Sequence, residues 1–133
     1  MRKIISLLTV LLVSSLVMGQ NQERLSVHFF DVPGNLESEF LKFNSEVNKT
    51  LENAGYGKNF YKLYRVKNSD QEKTLRYFQI SSYTSDKHYE MTHDVGKEYE
   101  DLWNQMWDSE IGKKVWVFDN KTHIYRKVFR VEN

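Results

Sequence analysis

Four histidines and eight tyrosines supply most of the side chains in this sequence that could carry out acid–base or ligand chemistry. An imidazole titrates near physiological pH, so a histidine can take up and return a proton at pH 7. His88 and His93 stand where a helix is predicted to begin, and both are candidates. His93 is the candidate catalytic residue because it shares a helical stripe with Tyr89 and comes one turn before Gly96. A histidine on the surface or in an interface is the alternative.

The spacing of these two histidines limits what they could hold. His88 and His93 are five residues apart, so on one helix their side chains point about 140° away from each other. Two histidines that share one metal ion on a helix need the i, i+4 spacing. At most one of them can face a cavity, and the sequence predicts no metal site. The lack of cysteine also excludes a thiolate nucleophile and a zinc–thiolate centre.

Aromatic residues and a third histidine provide the other candidates. Tyr77 is a second candidate catalytic residue, and Tyr64 could orient a phenol or quinone. Both hydroxyls could equally bond to neighbouring side chains. Tyr99 and Trp103 lie on the apolar stripe of the second predicted helix, where core packing is the first expectation and a wall against a flat ligand the second. His28, in the first predicted strand, could face the same cavity or an interface.

The N-terminus has the layout of a secretory signal peptide. A basic start is followed by an apolar run from Ile4 to Val17 and by a cleavage site before Gln20. The run is shorter than the roughly 20 residues that a membrane-spanning helix needs. We therefore predict a signal peptide over residues 1–19 and one domain over residues 20–133. The protein would be secreted or periplasmic in a bacterium, without a membrane anchor after cleavage; an uncleaved anchor is the alternative.

The charge balance narrows the range of partners. The chain has 19 Lys and Arg residues against 18 Asp and Glu residues, and two of the basic residues leave with the leader. A nearly neutral domain has no basic face with which to displace counterions from phosphates, so we predict no nucleic-acid partner. An exported domain without disulfides needs a self-sufficient core or a dimer.

Hydrophobic periodicity predicts the order strand, helix, strand, strand, helix, strand. The strands cover residues 25–32, 60–67, 74–83 and 123–131, and the helices begin at an Asn35 cap and at a Ser85 or Asp86 cap, the second running to Trp107. Residues 108–120 suit a helix or a strand, and we favour a short third helix. Two helices that each bury one stripe can pack on one face of a four-stranded antiparallel sheet. This predicts an α+β, ferredoxin-like βαββαβ sandwich.

Both faces of the predicted sheet carry large apolar or aromatic side chains. On the first strand, Val27 and Phe29 lie opposite His28 and Phe30, and the second and third strands repeat this pattern. A monomer would leave one of these faces in water, as a larger apolar patch than soluble monomers usually expose. Two copies that pair face to face would cover it. The sequence therefore predicts a homodimer.

The segment from Tyr77 to Trp107 resembles the dimeric α+β barrel superfamily, and within it the antibiotic-biosynthesis-monooxygenase-like group. In that group a strand ends in an aromatic residue and a serine, and a histidine follows on the first turns of the next helix. Tyr83, Ser85 and His93 hold those positions here. The resemblance implies that two sandwiches pair through their sheets into a barrel. The superfamily includes cofactor-free quinone-forming oxygenases, haem-handling enzymes and dehydratases.

Haem-degrading members of the superfamily resemble one another in an Asn on an early strand, a Trp on the third strand and a His on the second helix. Here the first strand has His28 and the third has Tyr77 and Tyr83, so only the helical histidine matches. This departure speaks against haem breakdown, and it leaves haem binding through His93 or His88 open. We expect no cofactor, with haem as the alternative.

These observations predict an exported, small, dimeric protein that binds a small flat or aromatic ligand. The alternatives are a cofactor-independent, monooxygenase-like enzyme on an aromatic substrate and a haem-binding protein, so both enzymatic and non-catalytic readings stay open. The candidate ligand-binding residues are His28, Tyr64, His88, Tyr99 and Trp103.

Overall fold

The computed structural model describes residues 23–70 and 76–132, and the predicted signal peptide lies outside this part. The strands are β1 (Arg24–Phe30), β2 (Lys62–Arg65), β3 (Tyr77–Tyr83) and β4 (His123–Phe129). The helices are α1 (Glu37–Asn53), α2 (Asp86–Thr92), α3 (Lys97–Asp108) and α4 (Glu110–Lys114). Two short 3-10 turns, Gly34–Leu36 and Asn68–Asp70, precede α1 and follow β2. The short helix α4 confirms the helical interpretation of residues 108–120.

The strands form one antiparallel sheet in the order β2-β3-β1-β4. At its centre, Val27 of β1 pairs with Ile80 of β3 on one side and with Arg126 of β4 on the other. The predicted α+β class and the four-stranded antiparallel sheet are confirmed, and the arrangement is consistent with a ferredoxin-like fold. No helix within residues 23–70 and 76–132 is long and apolar enough to cross a membrane.

Helix α1 forms because its apolar residues recur every three or four positions. Phe40, Phe43, Val47 and Leu51 make one buried stripe, which packs on the sheet. The predicted N-cap at Asn35 is wrong: the chain first makes a 3-10 turn, in which the amide of Leu36 donates to the carbonyl of Pro33 (2.9 Å). No side chain caps α1 itself, whose N-cap position is Leu36.

The second predicted helix is two helices. The cap at Ser85 is confirmed, since its hydroxyl accepts a hydrogen bond from the amide of His88 (3.1 Å). However, α2 ends at Thr92, and α3 starts after Gly96, whose φ of 109° and ψ of −177° suit only glycine. A single helix from residue 85 to Trp107 is therefore wrong. His93 lies just past the end of α2, as its C-cap residue.

Strand β2 is shorter than predicted because the side chain of Asn48, and not a neighbouring strand, forms hydrogen bonds with the backbone of Tyr61. The amide of Tyr61 donates to Oδ1 of Asn48 (2.8 Å), and Nδ2 of Asn48 donates to the carbonyl of Tyr61 (3.0 Å). Both residues are buried. The strand therefore begins only at Lys62.

The two faces of the sheet differ in chemistry. On the helix side, one end is apolar: Phe30 and Tyr77 are paired and pack against Phe40 of α1. The other end of the same face is polar and still buried, with Ser26, Gln79, Ser81 and Tyr83. The opposite face, which we call the open face, carries partly buried apolar side chains, namely Leu25, Val27, Phe29, Phe78, Ile80 and Ile124.

Candidate ligand-binding site

A cavity of about 870 Å³ lies between the polar end of the sheet and the helices, and we call it the aromatic cavity. Its floor is Ser26, His28, Gln79, Tyr83 and Tyr125, from strands β1, β3 and β4. Its walls are Tyr61, Tyr89, His93, Tyr99, Trp103, Trp107, Trp116 and Phe118. Its rim is formed by polar residues and a glycine at the start of α3 and just before it: Asp94, Gly96, Lys97, Glu100, Asp101 and Asn104. This volume lies within the range of sites for small organic ligands.

Three tryptophans set the shape of the walls. The ring centroids of Trp103 and Trp116 are 5.2 Å apart with planes at 86°, and those of Trp107 and Trp116 are 6.2 Å apart at 82°. The walls therefore present ring faces in different directions. They continue to the surface, because Trp107 is 41% and Phe118 is 72% exposed.

One wall also contains an unsatisfied donor. The indole nitrogen of Trp116 is buried and meets no acceptor in the described part of the chain. Buried donors of this kind usually have a partner in folded proteins. An acceptor atom of a bound molecule could supply one.

A pair of histidines lies at the sheet end of the cavity. Nδ1 of His28 and Nε2 of His123 are 2.7 Å apart, and both rings pack near Trp116. Burial and, to a smaller extent, the neighbouring His123 lower the pKa of His28 to about 3. Burial also lowers the pKa of His123 to about 4. Both rings are therefore neutral at pH 7, and one donates the shared proton to the other.

Buried tyrosine hydroxyls line the cavity beside this pair. The hydroxyls of Tyr61 and Tyr99 are 3.2 Å apart, and that of Tyr83 lies 2.9 Å from the hydroxyl of Ser81. Burial raises the pKa of Tyr83 to about 12 and raises those of Tyr61 and Tyr99. These hydroxyls stay protonated at neutral pH, so they can donate hydrogen bonds to a ligand.

His93 lines the cavity with a defined tautomer. Its Nδ1 lies 2.7 Å from the carbonyl oxygen of Tyr89, and a carbonyl can only accept, so Nδ1 carries the proton. Nε2 then keeps its lone pair. Burial lowers the pKa of His93, which also favours the neutral ring. The Tyr89 ring is stacked on the imidazole, with centroids 4.1 Å apart.

Four of the predicted site residues come together in this cavity: His28, His93, Tyr99 and Trp103. The other three, Tyr64, Tyr77 and His88, are not among its lining residues. Tyr64 is 51% exposed on the open face, where it lies beside Phe78. Nδ1 of His88 accepts a hydrogen bond from the amide of Thr84 (3.1 Å).

The hydroxyl of Tyr77 belongs to a separate cluster. It donates to Glu37 and accepts from Nη2 of Arg65 (2.8 Å), and Arg65 also pairs with Glu37. The ring of Tyr77 packs on Phe40 in the apolar core. Strand alternation puts Tyr77 on the helix side of the sheet, but at the end away from the polar floor.

Several cavity residues were not singled out from the sequence. They are Ser26, Gln79, Trp116, Phe118 and Tyr125. The alternation that places His28 on the helix side also places Ser26 there, so the sequence contained that signal. The place of His123 after a turn predicts a solvated side chain, and this prediction is wrong: His123 is 1% exposed because its ring packs between His28 and Trp116.

Among the described residues, no group of three or more His, Asp or Glu side chains is arranged to hold a metal ion. No protein-family model matches the chain. A search among characterised proteins finds no significant match either.

Proposed function

We propose that this protein is an exported binding protein that holds a small, flat aromatic molecule in the aromatic cavity and acts as a homodimer of the α+β barrel type. The observation that carries the proposal is the cavity itself, whose walls are aromatic and whose floor is polar. Apolar walls with a few placed polar groups are typical of small-molecule sites.

The cavity suits a planar molecule with polar atoms at one end. The ring faces of Trp103 and Trp116 can contact an aromatic body. One hydroxyl of the Tyr61–Tyr99 pair donates to the other, so the pair can donate one hydrogen bond to the polar atoms of the ligand. The hydroxyl of Tyr83 and the unsatisfied indole N–H of Trp116 can donate as well. Phenols, quinones and heteroaromatic compounds have this combination.

The dimer is supported by the open face. Val27, Phe29 and Ile80 form the centre of an apolar patch on this face, which Arg126 of β4 and Lys62 of β2 border. Its side chains are partly buried, so a second sheet could still cover them. Export is supported by the layout of residues 1–19.

Direct titration tests the binding proposal. Isothermal titration calorimetry of the purified protein with a panel of two-ring compounds (a naphthol, a naphthoquinone and quinoline) should show saturable binding at one site per chain. Phe118→Ala removes an exposed wall ring and should weaken that binding about tenfold, which corresponds to 1.4 kcal/mol. Phe129→Ala is the matched control, since Phe129 is also exposed and does not line the cavity. Equal binding by the two variants, or none by the natural chain, would refute the proposal.

The free lone pair of His93 favours a second candidate function. A neutral imidazole with Nδ1 fixed by a carbonyl can accept a proton at Nε2, as a general base does. The protein would then be a cofactor-independent, oxygenase-like enzyme acting on a phenolic substrate, with His93 as its base. The same nitrogen is also suited to ligate haem iron.

Two measurements test this second candidate. If turnover of a bound phenol is found, His93→Ala should abolish it and leave the binding affinity nearly unchanged. Addition of haemin should shift the Soret band only if His93 ligates iron, and His93→Ala should remove that shift. Turnover that survives in His93→Ala would exclude His93 as the base.

A further inference from the structure

We propose that the ligand of the aromatic cavity is an organic cation with a flat ring system. This inference rests on the proposed binding function and names the charge of the molecule that the cavity selects. The rim carries a net negative charge, the described lining residues place no cation inside, and the walls present aromatic ring faces.

The rim is negatively charged. Three carboxylates, Asp94, Glu100 and Asp101, lie on it beside one amine, that of Lys97. Nζ of Lys97 lies 2.9 Å from both carboxylate oxygens of Asp101, so these two charges offset each other. The side chains of Asp94 and Glu100 form no ion pair with any described residue. With three carboxylates against one amine, the rim has a net negative charge.

The interior holds no positive charge to balance that of the rim. Among the described lining residues, the groups that could become cationic besides Lys97 are His28 and His93, and both are neutral at pH 7 because burial lowers their pKa values. Arg24 does not line the cavity, although its charge adds to burial in lowering the pKa of His93. Its guanidinium lies 3.9 Å over the ring of Tyr89 and pairs with Asp86 (3.1 Å).

The walls favour a cation for a second reason. Aromatic rings carry partial negative charge on their faces, and tryptophan attracts cations most strongly. Because Trp103 and Trp107 each stand nearly perpendicular to Trp116, the walls offer faces in more than one direction. A planar cation can stack on one of these faces while its charge stays near Glu100 or Asp94. An anionic molecule, such as haem with its propionates, would meet repulsion at the same opening.

Three probes of one shape test the charge preference. Calorimetric titrations at pH 8 should compare N-methylquinolinium (a cation), quinoline (neutral) and quinoline-2-carboxylate (an anion). We expect the cation to bind about tenfold or more tightly than quinoline, which corresponds to 1.4 kcal/mol. The anion should bind most weakly. Added salt should weaken the binding of the cation and leave the binding of quinoline nearly unchanged, since salt screens exposed charges.

Neutral variants of the rim locate the effect. Glu100→Gln and Asp94→Asn keep the shape of the side chain and remove its charge. Each should therefore lower the affinity for N-methylquinolinium several-fold and leave the affinity for quinoline unchanged. Glu39→Gln, on α1 and outside the cavity, is the control and should change neither.

The outcomes separate this inference from the proposal on which it rests. If quinoline or the carboxylate binds as tightly as the cation, the cation preference is refuted and the binding function stands. If the cation binds best but the rim variants do not weaken it, the rim is not the source of selectivity and the inference fails. If none of the three probes binds, the cation preference fails; the binding function fails with it only if the naphthol and the naphthoquinone do not bind either.

Discussion

Nδ1 of His28 on β1 lies 2.7 Å from Nε2 of His123 on β4, and both imidazoles are held neutral inside the protein. His123 pairs with Phe30, which lies two residues after His28 on β1, and His28 pairs with Tyr125, which lies two residues after His123 on β4. The two histidine side chains therefore meet on the helix side because strand alternation puts both there. The pair joins the edge of the aromatic cavity to the core around Phe30, whose ring is stacked on both.

This pair predicts that acid destabilises the protein before its carboxylates titrate. In the folded state the pKa values are about 3 for His28 and about 4 for His123, against 6.5 for the ordinary side chain. Between about pH 6.5 and pH 4 the unfolded chain therefore binds more protons, so the free energy of unfolding falls as the pH falls. The loss is at most about 1.4 kcal/mol per pH unit for each histidine.

Urea unfolding between pH 7.5 and 4.5 measures this slope. His123→Phe keeps an aromatic ring in the same space and should flatten the pH dependence, whatever it does to stability at pH 7.5. A slope identical to that of the natural chain would contradict neutral burial of the pair.

The close packing around Gly112 predicts that an added methyl group at this position destabilises the fold. A Cβ atom there would lie 2.3 Å from the carbonyl oxygen of Met106 and 2.6 Å from that of Trp107. Both atoms belong to the backbone of α3, so the clash requires α4 to shift against it. Gly112→Ala should lower the free energy of unfolding by about 1–3 kcal/mol or more. Gly34→Ala is the matched control, because a Cβ at Gly34 meets no atom within 4 Å. Equal melting temperatures for the two variants would contradict this packing.

The open face predicts the oligomeric state. Sedimentation of the natural chain should give a dimer, and Ile80→Lys should give a monomer, because it places a charge at the centre of that face. Leu41→Lys, at an exposed position on α1, is the control and should leave the dimer intact. A natural chain that sediments as a monomer would refute the dimer.

The position of Tyr77 outside the aromatic cavity predicts that its hydroxyl can be removed without a change in ligand affinity. Its hydroxyl contacts Glu37 and Arg65 and does not line the aromatic cavity. Tyr77→Phe should therefore keep the affinity for a two-ring ligand. Tyr125→Phe removes a hydroxyl from the cavity floor and should lower it by about 0.5–1.5 kcal/mol for one hydrogen bond. If Tyr77→Phe lost ligand binding, the prediction would be wrong and Tyr77 would be part of the binding site.

Alternation and helical periodicity were sufficient to predict the sheet and α1. The alternating faces of β1 and β3 follow from a period of two, and the stripe from Phe40 to Leu51 follows from a period near 3.6. The register that pairs Phe30 with Tyr77 does not follow from either period. The break between α2 and α3 could not be predicted in this way, because the apolar stripe continues past it. Gly96 interrupts the helix through its backbone angles, which leave no trace in hydrophobicity.

The site was only half predictable for a related reason. His28, His93, Tyr99 and Trp103 were identified by residue type and by their place on an element. Trp116 comes from the segment of ambiguous periodicity, residues 108–120, and His123 begins the last predicted strand. The positions of their side chains depend on how α4 and β4 pack against β1. Such contacts between distant segments are set by the tertiary fold.

The two ends of the helix-side face of the sheet have different roles: the apolar end stabilises the fold, and the polar end lines the aromatic cavity. Phe30, Tyr77 and Phe40 pack in the apolar core at one end, while Ser26 and Gln79 line the cavity at the other end and are not part of that core. Residues that decide which molecule is accepted can consequently be exchanged with small cost in folding free energy. A scaffold of this design can be re-targeted to new ligands by altering a few side chains at one end.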